Sequence, residues 1–379
     1  MSAPCDVLCV VGARPNFIKM APILAAFAAQ PAPLRVGLVH TGQHYGEAMD
    51  RQIFSALGMR EADVNLDVGS ASHAQQTALV MQRFEPVLAG ARARAVLVVG
   101  DVNSTLACAL VAAKMAVPVV HVEAGLRSFD RAMPEEINRL LTDQLSSLLL
   151  TSEPSGLDNL LREGIARSRI HEVGNVMIDS LQNNLRYAVP LAQLLARQGR
   201  AGLLGRPGGY AVVTVHRPSN VDDAASLRRT LELVAAVATR LPVVFPMHPR
   251  TRAMVAEHDL EHLLAPAALF VCGPLGYLEM LGAMKQASVV ITDSGGLQEE
   301  ALVLGVPCIT LRESTERPAT VACGGNVLVG QHRAMALAAL DRVLAGQRPP
   351  GAPPALWDGH AAERIAHVTR HWLLHLERR

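Results

Sequence analysis

The sequence predicts an α/β fold made of two doubly wound domains, each built around a parallel sheet. Short runs rich in Val, Ile and Leu alternate along the chain with Ala- and Leu-rich stretches, a pattern typical of strands joined by crossover helices. The short runs are apolar throughout, which indicates strands buried on both faces of a sheet. Because 379 residues exceed the usual size of one hydrophobic core, two domains are expected.

The individual elements follow from these runs in chain order. Strands are expected at residues 6–11, 34–39, 95–100, 117–122, 210–215, 242–247, 268–272, 288–292 and 307–311. Helices between them are expected at residues 19–29, 73–89, 104–115, 136–149, 223–239 and 296–304. In the helix at 136–149, apolar spacing predicts a buried stripe formed by Ile137, Leu140, Leu141, Leu145 and Leu148.

The strands fall into two groups, which a long helical stretch and the glycine-rich segment 199–209 separate. The first strand of each group ends similarly, in VVGARPNF and in VTVHRPSN, and this weak repeat indicates two similar domains. We expect an N-terminal domain at residues 1–172 and a C-terminal domain at 173–361. A basic helix at 362–379 is expected to pack back onto the first domain.

Composition and charge argue against several classes of protein. A net charge of +1 gives no overall attraction to nucleic acid or to a membrane surface. The sequence predicts neither a signal peptide nor a membrane span, which needs roughly 18 apolar residues. The six cysteines lie mostly in apolar runs, which favours reduced, buried thiols in a cytoplasmic protein. Since no GxGxxG fingerprint, Walker loop or dense group of metal ligands occurs, we expect no cofactor and no metal.

Charged residues follow the predicted strands of the first half, where open parallel sheets bind their ligands. After the first strand, Arg14 and Lys19 lie at a strand–turn–helix junction, which suits an anion; an ordinary helix start with surface charges is the alternative. Asp101 follows the third strand. It is interpreted either as a plain helix cap or as part of a site.

The segment HVEAGLRSFDRAMPEEINR, residues 121–139, places more charges where an apolar strand leads into a helix. Glu123 directly follows the strand, where a buried acid is costly unless it is paired or functional; a structural pair with Arg127 is the alternative. Glu135 lies in the first helical turn, where the helix dipole favours a carboxylate. A solvated pair with Arg139 is the alternative there. With the acid after the third strand, these residues predict a cluster of carboxylates.

The clearest indication of a phosphate-binding site is the segment VITDSGGLQEEALVLG in the second half. Ser294, Gly295 and Gly296 join a strand to a helix, and glycines let backbone N–H groups approach a diphosphate. Glu300, farther along this helix, is placed to reach ribose hydroxyls. Arg317 follows the next strand and adds a positive charge.

His216 and His248 follow two other strands of the second half, at equivalent positions. A lone histidine is usually structural, but two at equivalent strand ends favour a site. The two halves together describe a nucleotide-linked substrate that one domain holds and the carboxylates of the other act on. The expected place for it is a cleft between the facing carboxyl ends of the two sheets.

The chain contains, in order, GARPNFIKMAPI, GDVNSTLA, HVEAGLRS, PEEINR, VGNVMID, TDSGGLQEEA and TERP. Over about residues 7–330, these motifs resemble those of the bacterial non-hydrolysing UDP-N-acetylglucosamine 2-epimerases. The resemblance implies a GT-B-like architecture, in which two Rossmann-type domains face an interdomain cleft. It also implies a cytoplasmic homodimer that interconverts UDP-N-acetylglucosamine and UDP-N-acetylmannosamine without NAD or metal, as in cell-surface polysaccharide biosynthesis. UDP would leave and re-add through a glycal intermediate.

The resemblance also assigns roles by motif. It implies that Asp101, Glu123 and Glu135 are catalytic acids and that His216 is important for catalysis. The expected ligands of the UDP-sugar, which include His248 from its position after a strand, are Arg14, Lys19, Arg139, His248, Ser294, Gly295, Gly296, Glu300 and Arg317. No metal ligand is expected.

Departures from the family pattern leave alternatives open. Gln43 and His44 match a segment that binds an activating second substrate, but Tyr45 and Gly46 do not, and Pro218 replaces an arginine of another motif. The form HTGQHY also resembles relatives that act on UDP-linked diacetamido uronic acids, which is the main alternative. A hydrolysing epimerase, a GT-B glycosyltransferase and a nucleotide-sugar sensor rank lower; the hydrolysing branch carries GDRxE where this chain has GDVNST.

Overall fold

The computed structural model describes residues 4–42, 54, 57–199, 202, 209–347 and 351–376. The chain divides into two compact units, Met1–Ser180 with Ala355–Arg379 and Leu181–Pro354. The first unit thus extends past the boundary expected at residue 172, because Val173 and Val176 belong to its hydrophobic core. The hydroxyl of Ser180 also donates a hydrogen bond to the carbonyl of Ile18 in this unit.

The first unit contains a seven-stranded parallel sheet with the order β3-β2-β1-β4-β5-β6-β7. Its strands are β1 (Val7–Val11), β2 (Val36–His40), β3 (Val64–Asn65), β4 (Ala95–Val99), β5 (Val119–Ala124), β6 (Leu148–Thr151) and β7 (Ile170–Glu172). The helices that follow in the chain are α1 (Arg14–Ala28), α2 (His73–Ala91), α3 (Asn103–Lys114), α4 (Pro134–Leu145), α5 (Pro154–Arg162) and α6 (Val176–Asn184), with a 3-10 turn at Arg167–Arg169.

The second unit repeats this arrangement in a six-stranded parallel sheet with the order β10-β9-β8-β11-β12-β13. Its strands are β8 (Ala211–Thr214), β9 (Val243–Pro246), β10 (Leu269–Cys272), β11 (Val289–Thr292), β12 (Cys308–Thr310) and β13 (Asn326–Leu328). Its helices are α7 (Leu191–Arg197), α8 (Pro218–Val221), α9 (Ala224–Ala238), α10 (Pro249–Glu257), α11 (Tyr277–Lys285), α12 (Gly295–Val303), α13 (Pro318–Ala322) and α14 (Arg333–Leu344), with 3-10 turns at Leu185–Tyr187 and Glu261–Leu264.

In both sheets the strand order reverses direction beside the first strand, between β1 and β4 and between β8 and β11. This reversal opens a crevice at the carboxyl ends of the strands, where doubly wound proteins bind their ligands. Apolar side chains cover the strands, which are almost wholly buried. The predicted class of two doubly wound α/β domains is therefore confirmed.

One predicted helix ends early. The sequence pattern extends the helix at 136–149 through Leu148, but α4 stops at Leu145 and residues 148–151 form β6 instead. Ser146 lies at the junction, where its hydroxyl donates to the carbonyl of Thr142 at 2.7 Å. Strand β6 then pairs with both β5 and β7, and this tertiary pairing decides the conformation of a short apolar run.

Helix α4 also buries the face that the sequence pattern leaves to solvent. The prediction of a buried apolar stripe is wrong for Ile137 and Leu141, whose exposed fractions are 46% and 48%. The buried residues of α4 are Glu136, Asn138, Arg139, Thr142 and Asp143. This inversion is possible because buried polar groups are tolerated when they are hydrogen-bonded, and most of these side chains contact the loops after β4 and β5.

The C-terminal helix α15 (Ala361–Leu376) packs against α1 in the first unit. Ala361 and Ile365 are buried in the same core as Met20 and Ile23. Asp179 caps this helix, because its carboxylate accepts hydrogen bonds from the backbone N–H groups of Ala361 at 3.2 Å and Ala362 at 2.7 Å.

All six cysteines are free thiols, of which five are buried and Cys323 is partly exposed. Burial raises the pKa of the Cys272 thiol to about 11 and that of Cys308 to about 12, which favours the unreactive thiol form. Within the part of the chain that the structure describes, the helices are too short or too polar to cross a membrane.

Candidate functional site

The turn after β1 is fastened to the neighbouring strand by one side chain. Asn16 accepts hydrogen bonds from the N–H groups of Gly12 and Ala13, both at 3.1 Å, and donates to the carbonyl of Val99 at 3.0 Å. Arg14 opens α1 from this turn and is partly exposed, whereas Lys19 lies one turn further and is buried. The turn therefore directs Lys19 into the carboxyl edge of the sheet.

Lys19 and Glu123 form a buried ion pair, in which Nζ contacts Oε2 and each residue is only 6% exposed. The pair lies beside Gly100, whose φ is +71°; a Cβ there would come within 3.4 Å of Lys19 Nζ and 3.9 Å of Glu123 Oε2. The alternative pairing of Glu123 with Arg127 is wrong, since Arg127 pairs with other carboxylates.

The backbone of Glu123 is in the left-handed region, with φ at +72°. The pairing of β5 with β6 shifts register between Val122 and Ala124, so a bulge centres on this residue. A non-glycine residue in this conformation costs on the order of 1–3 kcal/mol, and such strain is concentrated at functional sites. We therefore regard Glu123 as a residue whose carboxylate is aimed by its backbone.

Arg139 connects Asp101 to a second acid. Its Nη1 contacts Asp101 Oδ2, and its Nε and Nη2 lie 3.0 Å and 2.9 Å from Glu136 Oε2. The Glu136 carboxylate also accepts hydrogen bonds from the backbone N–H groups of Ser128 at 3.0 Å and Phe129 at 2.9 Å. Glu136 thus holds Arg139 in place. The side chain of Asp101 is 26% exposed.

The sequence pattern pairs Arg139 with the wrong acid. The alternative Glu135–Arg139 pair does not form, because the i,i+3 acid Glu136 takes that role. Glu135 is partly exposed at the start of α4, and no hydrogen bond or ion pair connects it to another described residue. Its carboxylate is therefore available to a ligand. The spacing of Glu136 and Arg139 is the signal that could have identified this pair.

In the second unit, a buried carboxylate organises the loop that carries His216. Asp293 accepts hydrogen bonds from the N–H groups of His216 and Arg217, both at 2.9 Å, and from Asn220 Nδ2 at 3.0 Å. His216 Nδ1 lies 3.0 Å from Asp293 Oδ1. Burial alone would raise the pKa of Asp293, but these hydrogen bonds and the charge of His216 lower it to about 2. Asp293 therefore remains ionised and fixes the ring of His216.

The two predicted histidines lie side by side. The ring centroids of His216 and His248 are 5.5 Å apart. His248 caps helix α10, since its Nδ1 accepts a hydrogen bond from the N–H of Arg250 at 3.2 Å. Burial and, to a lesser extent, the charges of His216 and Arg250 lower the pKa of His248. His248 is therefore neutral beside a His216 that is paired with a carboxylate.

The start of α12 contains the residues predicted to bind an anion. Ser294 is the N-cap, its N–H donates to Thr292 Oγ1 at 3.0 Å, and its carbonyl accepts from Gln298 Nε2 at 3.2 Å. Gly295 approaches Glu316 so closely that a Cβ would overlap Oε1. Gly296 is the second residue of α12, and its N–H is among those that helices leave unbonded at the N-terminus. This end of α12 is suited to a diphosphate.

Arginine side chains surround this helix start. Arg317 lies 3.0 Å from Glu299, and Glu316 pairs with Arg312 at 2.6 Å and with Arg217 at 3.5 Å. Burial alone would raise the pKa of Glu316, but the charges of Arg312 and Arg317 lower it well below its usual range. Three guanidinium groups, those of Arg217, Arg312 and Arg317, thus lie around the start of α12, and guanidinium N–H groups are donors that suit an anionic ligand.

The predicted residues thus form separate groups within each unit. In the first, Lys19 joins Glu123 and Arg139 joins Asp101. In the second, Glu300 is buried on α12, farther along from the glycines at its start. Gln43, His44, Tyr45 and Gly46 lie outside the described residues, while Pro218 is the first residue of α8. Among the described residues, no group of three or more His, Cys, Asp or Glu side chains is arranged to hold a metal ion.

Known proteins are similar to this chain over most of its length. The family described as UDP-N-acetylglucosamine 2-epimerase matches residues 27–370. A UDP-N-acetylglucosamine 2-epimerase of Methanococcus maripaludis is 38% identical over 362 residues, which are 95% of this chain and 96% of the relative. A UDP-2,3-diacetamido-2,3-dideoxy-D-glucuronate 2-epimerase of Pseudomonas aeruginosa is 40% identical over 333 residues, 87% of this chain and 89% of the relative.

A solved structure of a relative has the same fold as this chain. The crystal structure of the Methanocaldococcus jannaschii UDP-GlcNAc 2-epimerase in complex with UDP-GlcNAc and UDP superposes with a TM-score of 0.84 at 38% identity. The match covers 96% of this chain and 99% of that chain. The predicted GT-B-like class is therefore confirmed.

Proposed function

The chain belongs to the UDP-N-acetylglucosamine 2-epimerase family, and we propose that it is an isomerase interconverting UDP-N-acetylglucosamine and UDP-N-acetylmannosamine. The observation that carries this proposal is the set of held carboxylates in the first unit, where Lys19 contacts Glu123 and Arg139 contacts Asp101. A UDP-binding protein without epimerase activity would have no need for strained or cation-paired acids at the end of its sheet.

The chemistry explains why carboxylates are needed. The proton on carbon 2 of the sugar is not next to a carbonyl, so its direct removal would be slow. When the bond from carbon 1 to the diphosphate oxygen breaks, UDP takes the electron pair and an oxocarbenium-like centre forms. This centre acidifies the carbon-2 proton, and a carboxylate removes it to leave a glycal. UDP then adds back to carbon 1 while a proton arrives at carbon 2 on the opposite face.

The residues divide between proton transfer and binding. Asp101, Glu123 and Glu135 are proposed as the acids and bases. His216, which the Asp293 carboxylate orients, is proposed to support departure of the diphosphate, where developing negative charge is stabilised by donors. The proposed ligands of the UDP-sugar are Arg14, Lys19, Arg139, His248, Ser294, Gly295, Gly296, Glu300 and Arg317.

Within this group, the start of α12 is proposed to bind the diphosphate through its N–H groups. Glu300 is proposed to accept hydrogen bonds from the ribose hydroxyls, and Arg317 to contribute positive charge. We expect Gly295→Ala to weaken UDP binding about tenfold, because the added methyl group displaces Glu316 from its place beside the helix start. Isothermal titration of UDP measures this effect.

Gly276→Ala is the matched control for that substitution. Gly276 also precedes a helix, but the nearest atom to its added Cβ would be 3.4 Å away, so UDP affinity should not change. Equal affinity of the Gly295→Ala protein and the unchanged protein would contradict a diphosphate site at α12.

A single incubation tests the proposed reaction. The protein is mixed with UDP-N-acetylglucosamine in D2O and followed by NMR. Deuterium at carbon 2 together with a UDP-linked manno product supports the epimerase. Release of free sugar would instead indicate a hydrolysing enzyme, and absence of exchange would indicate a transferase, a sensor or another substrate.

A second substrate is favoured by one specific observation. The relative that acts on UDP-2,3-diacetamido-2,3-dideoxy-D-glucuronate is 40% identical, against 38% for the Methanococcus UDP-N-acetylglucosamine 2-epimerase, so identity does not separate the two sugars. We propose UDP-diacetamido uronic acid as the alternative substrate. The same D2O experiment with both sugars ranks them by their values of kcat/KM.

We also propose the cytoplasmic homodimer that the family resemblance implies, with a role in cell-surface polysaccharide biosynthesis. The apolar side chains of Ile137 and Leu141 on α4 and of Phe129, which is 74% exposed, support an interface on the first unit. Sedimentation velocity should report about twice the 40.4 kDa chain mass. A particle of one chain mass at micromolar concentration would exclude the dimer.

A further inference from the structure

His121 lies in β5, two residues before Glu123, and is fully buried. Its Nε2 is 2.8 Å from the carbonyl oxygen of Gly100, and its Nδ1 is 2.6 Å from Asp143 Oδ1. Gly100 directly precedes Asp101. One ring therefore connects the loop after β4, which carries one proposed acid, to helix α4.

Asp143 extends this connection to the loop after β5. Its second oxygen, Oδ2, accepts a hydrogen bond from the N–H of Gly125 at 3.1 Å and lies 2.7 Å from Arg127 Nη2. Gly125 has a φ of +82°, and a Cβ there would overlap the carbonyl of Gly156. The backbone directly after β5, two residues from Glu123, is thus held at a position where only glycine fits.

Arg127 bridges two carboxylates of this cluster, those of Asp143 and Glu163. Arg127 also pairs with Glu163, with Nε and Nη2 at 2.8 Å and 2.6 Å from the carboxylate oxygens. Burial alone would raise the pKa of Asp143, but the charges and hydrogen bonds of His121 and Arg127 lower it. A carbonyl and an ionised carboxylate both accept hydrogen bonds, so both ring nitrogens of His121 face acceptors and are placed to donate.

The location of this cluster has a functional consequence. A buried pair of cations and carboxylates stabilises a fold no better than apolar side chains of similar size. It does, however, fix groups in defined directions, and here the groups are the backbone of the loop that carries Asp101 and of the end of β5, where Glu123 lies. If a catalytic group moves by about 1 Å, even through a change remote from the reacting atoms, the rate can fall about a hundredfold.

We propose that His121, oriented by Asp143, is a positioning residue that sets the placement of Asp101 relative to Glu123 for proton transfer at carbon 2. This inference rests on the proposed epimerase function. His121 itself does not act on the substrate; it acts through the carbonyl of Gly100 and, by way of Asp143, through the N–H of Gly125.

The test compares His121→Gln and Asp143→Asn with the unchanged protein. Each variant should lose about 10- to 100-fold in kcat. KM for the UDP-sugar and Kd for UDP should change less than twofold, because the contacts of His121 and Asp143 are with Gly100, Gly125 and Arg127, none of which is a proposed ligand. His367→Gln is the matched control, since His367 is exposed on α15, and its kcat should be unchanged. Circular dichroism establishes that each variant is folded.

A measurement on the unchanged protein is independent of variant folding. In protein labelled with 15N histidine, NMR at neutral pH should show one buried imidazole ring with protons on both nitrogens, protected from solvent exchange. A folded His121→Gln protein with unchanged kcat overturns the proposal. If that variant does not fold, the absence of any exchange-protected ring with protons on both nitrogens, or unchanged kcat in Asp143→Asn, overturns it; the other buried histidine among the described residues, His40, has a pKa that burial lowers to about 4 and should be singly protonated.

The outcomes also separate this inference from the proposed function. If the unchanged protein shows no carbon-2 exchange with either UDP-sugar, the function fails and the positioning role fails with it. If exchange occurs and the His121 variant retains it at the normal rate, only the positioning role fails.

Discussion

Replacement of Asp101 by Asn, or of Glu123 by Gln, is expected to lower kcat for the UDP-sugar by about two to four powers of ten. Each change removes the ability of the side chain to accept or donate the carbon-2 proton, and general acid–base catalysis contributes on this scale. The amide keeps an oxygen that can accept from Arg139 or Lys19, so the local contacts are largely preserved. Deuterium incorporation at carbon 2 is the direct measurement.

Binding of UDP separates loss of chemistry from loss of substrate. The proposed UDP ligands lie mainly in the second unit, so both variants should bind UDP with nearly normal Kd. Asp130→Asn is a matched control from the same segment, because Asp130 is exposed and its carboxylate accepts a hydrogen bond from the neighbouring N–H of Ala132. Near-normal turnover in the Asp101 and Glu123 variants would show that these acids do not carry the reaction.

The fold could be predicted because its signal is local. Buried parallel strands appear in the sequence as continuous apolar runs, and every run predicted as a strand lies on one of the two sheets. Strands β3, β6, β7 and β13 were not predicted: β3, β7 and β13 lie in short or polar segments, and the apolar run of β6 continues the pattern of the preceding helix. Such short segments become strands through pairing with their neighbours, which local sequence does not encode.

The candidate site could be predicted only in outline. Position after a strand identified Asp101 and Glu123, and glycines before a helix identified the cradle at α12. The partners that hold these groups come from distant parts of the chain, as Lys19 does for Glu123 and Glu316 does for Gly295. Hydrophobic periodicity along the chain carries no information about such long-range contacts.

Helix α4 shows why the prediction failed where it did. Apolar periodicity assigns the buried face of a helix on the assumption that burial is driven by apolar area. In α4 the buried face is polar and is satisfied by loop backbone and by Arg139, as the contacts of Glu136 show. Sequence reasoning is expected to fail at functional sites, where local rules are broken for a reason.

Replacement of Lys19 by Met should lower the free energy of unfolding by about 3 kcal/mol, the scale of breaking a buried ion pair. Methionine is an unbranched side chain one atom shorter than lysine, and it removes the cation that contacts Glu123, whose carboxylate is almost fully buried. Denaturant unfolding, followed by circular dichroism, measures the change. Turnover should fall as well, because Lys19 is a proposed ligand of the substrate.

The double variant Lys19→Met, Glu123→Gln separates the contribution of this ion pair to stability from the role of Glu123 in catalysis. Removal of the carboxylate charge in the Lys19→Met background should restore most of the lost unfolding free energy, since a neutral amide is far less costly to bury than an uncompensated charge. Activity should not return, because the amide cannot transfer the carbon-2 proton. A double variant less stable than Lys19→Met would show that the pair does not couple these residues. A double variant with restored turnover would show that Glu123 serves only to neutralise Lys19.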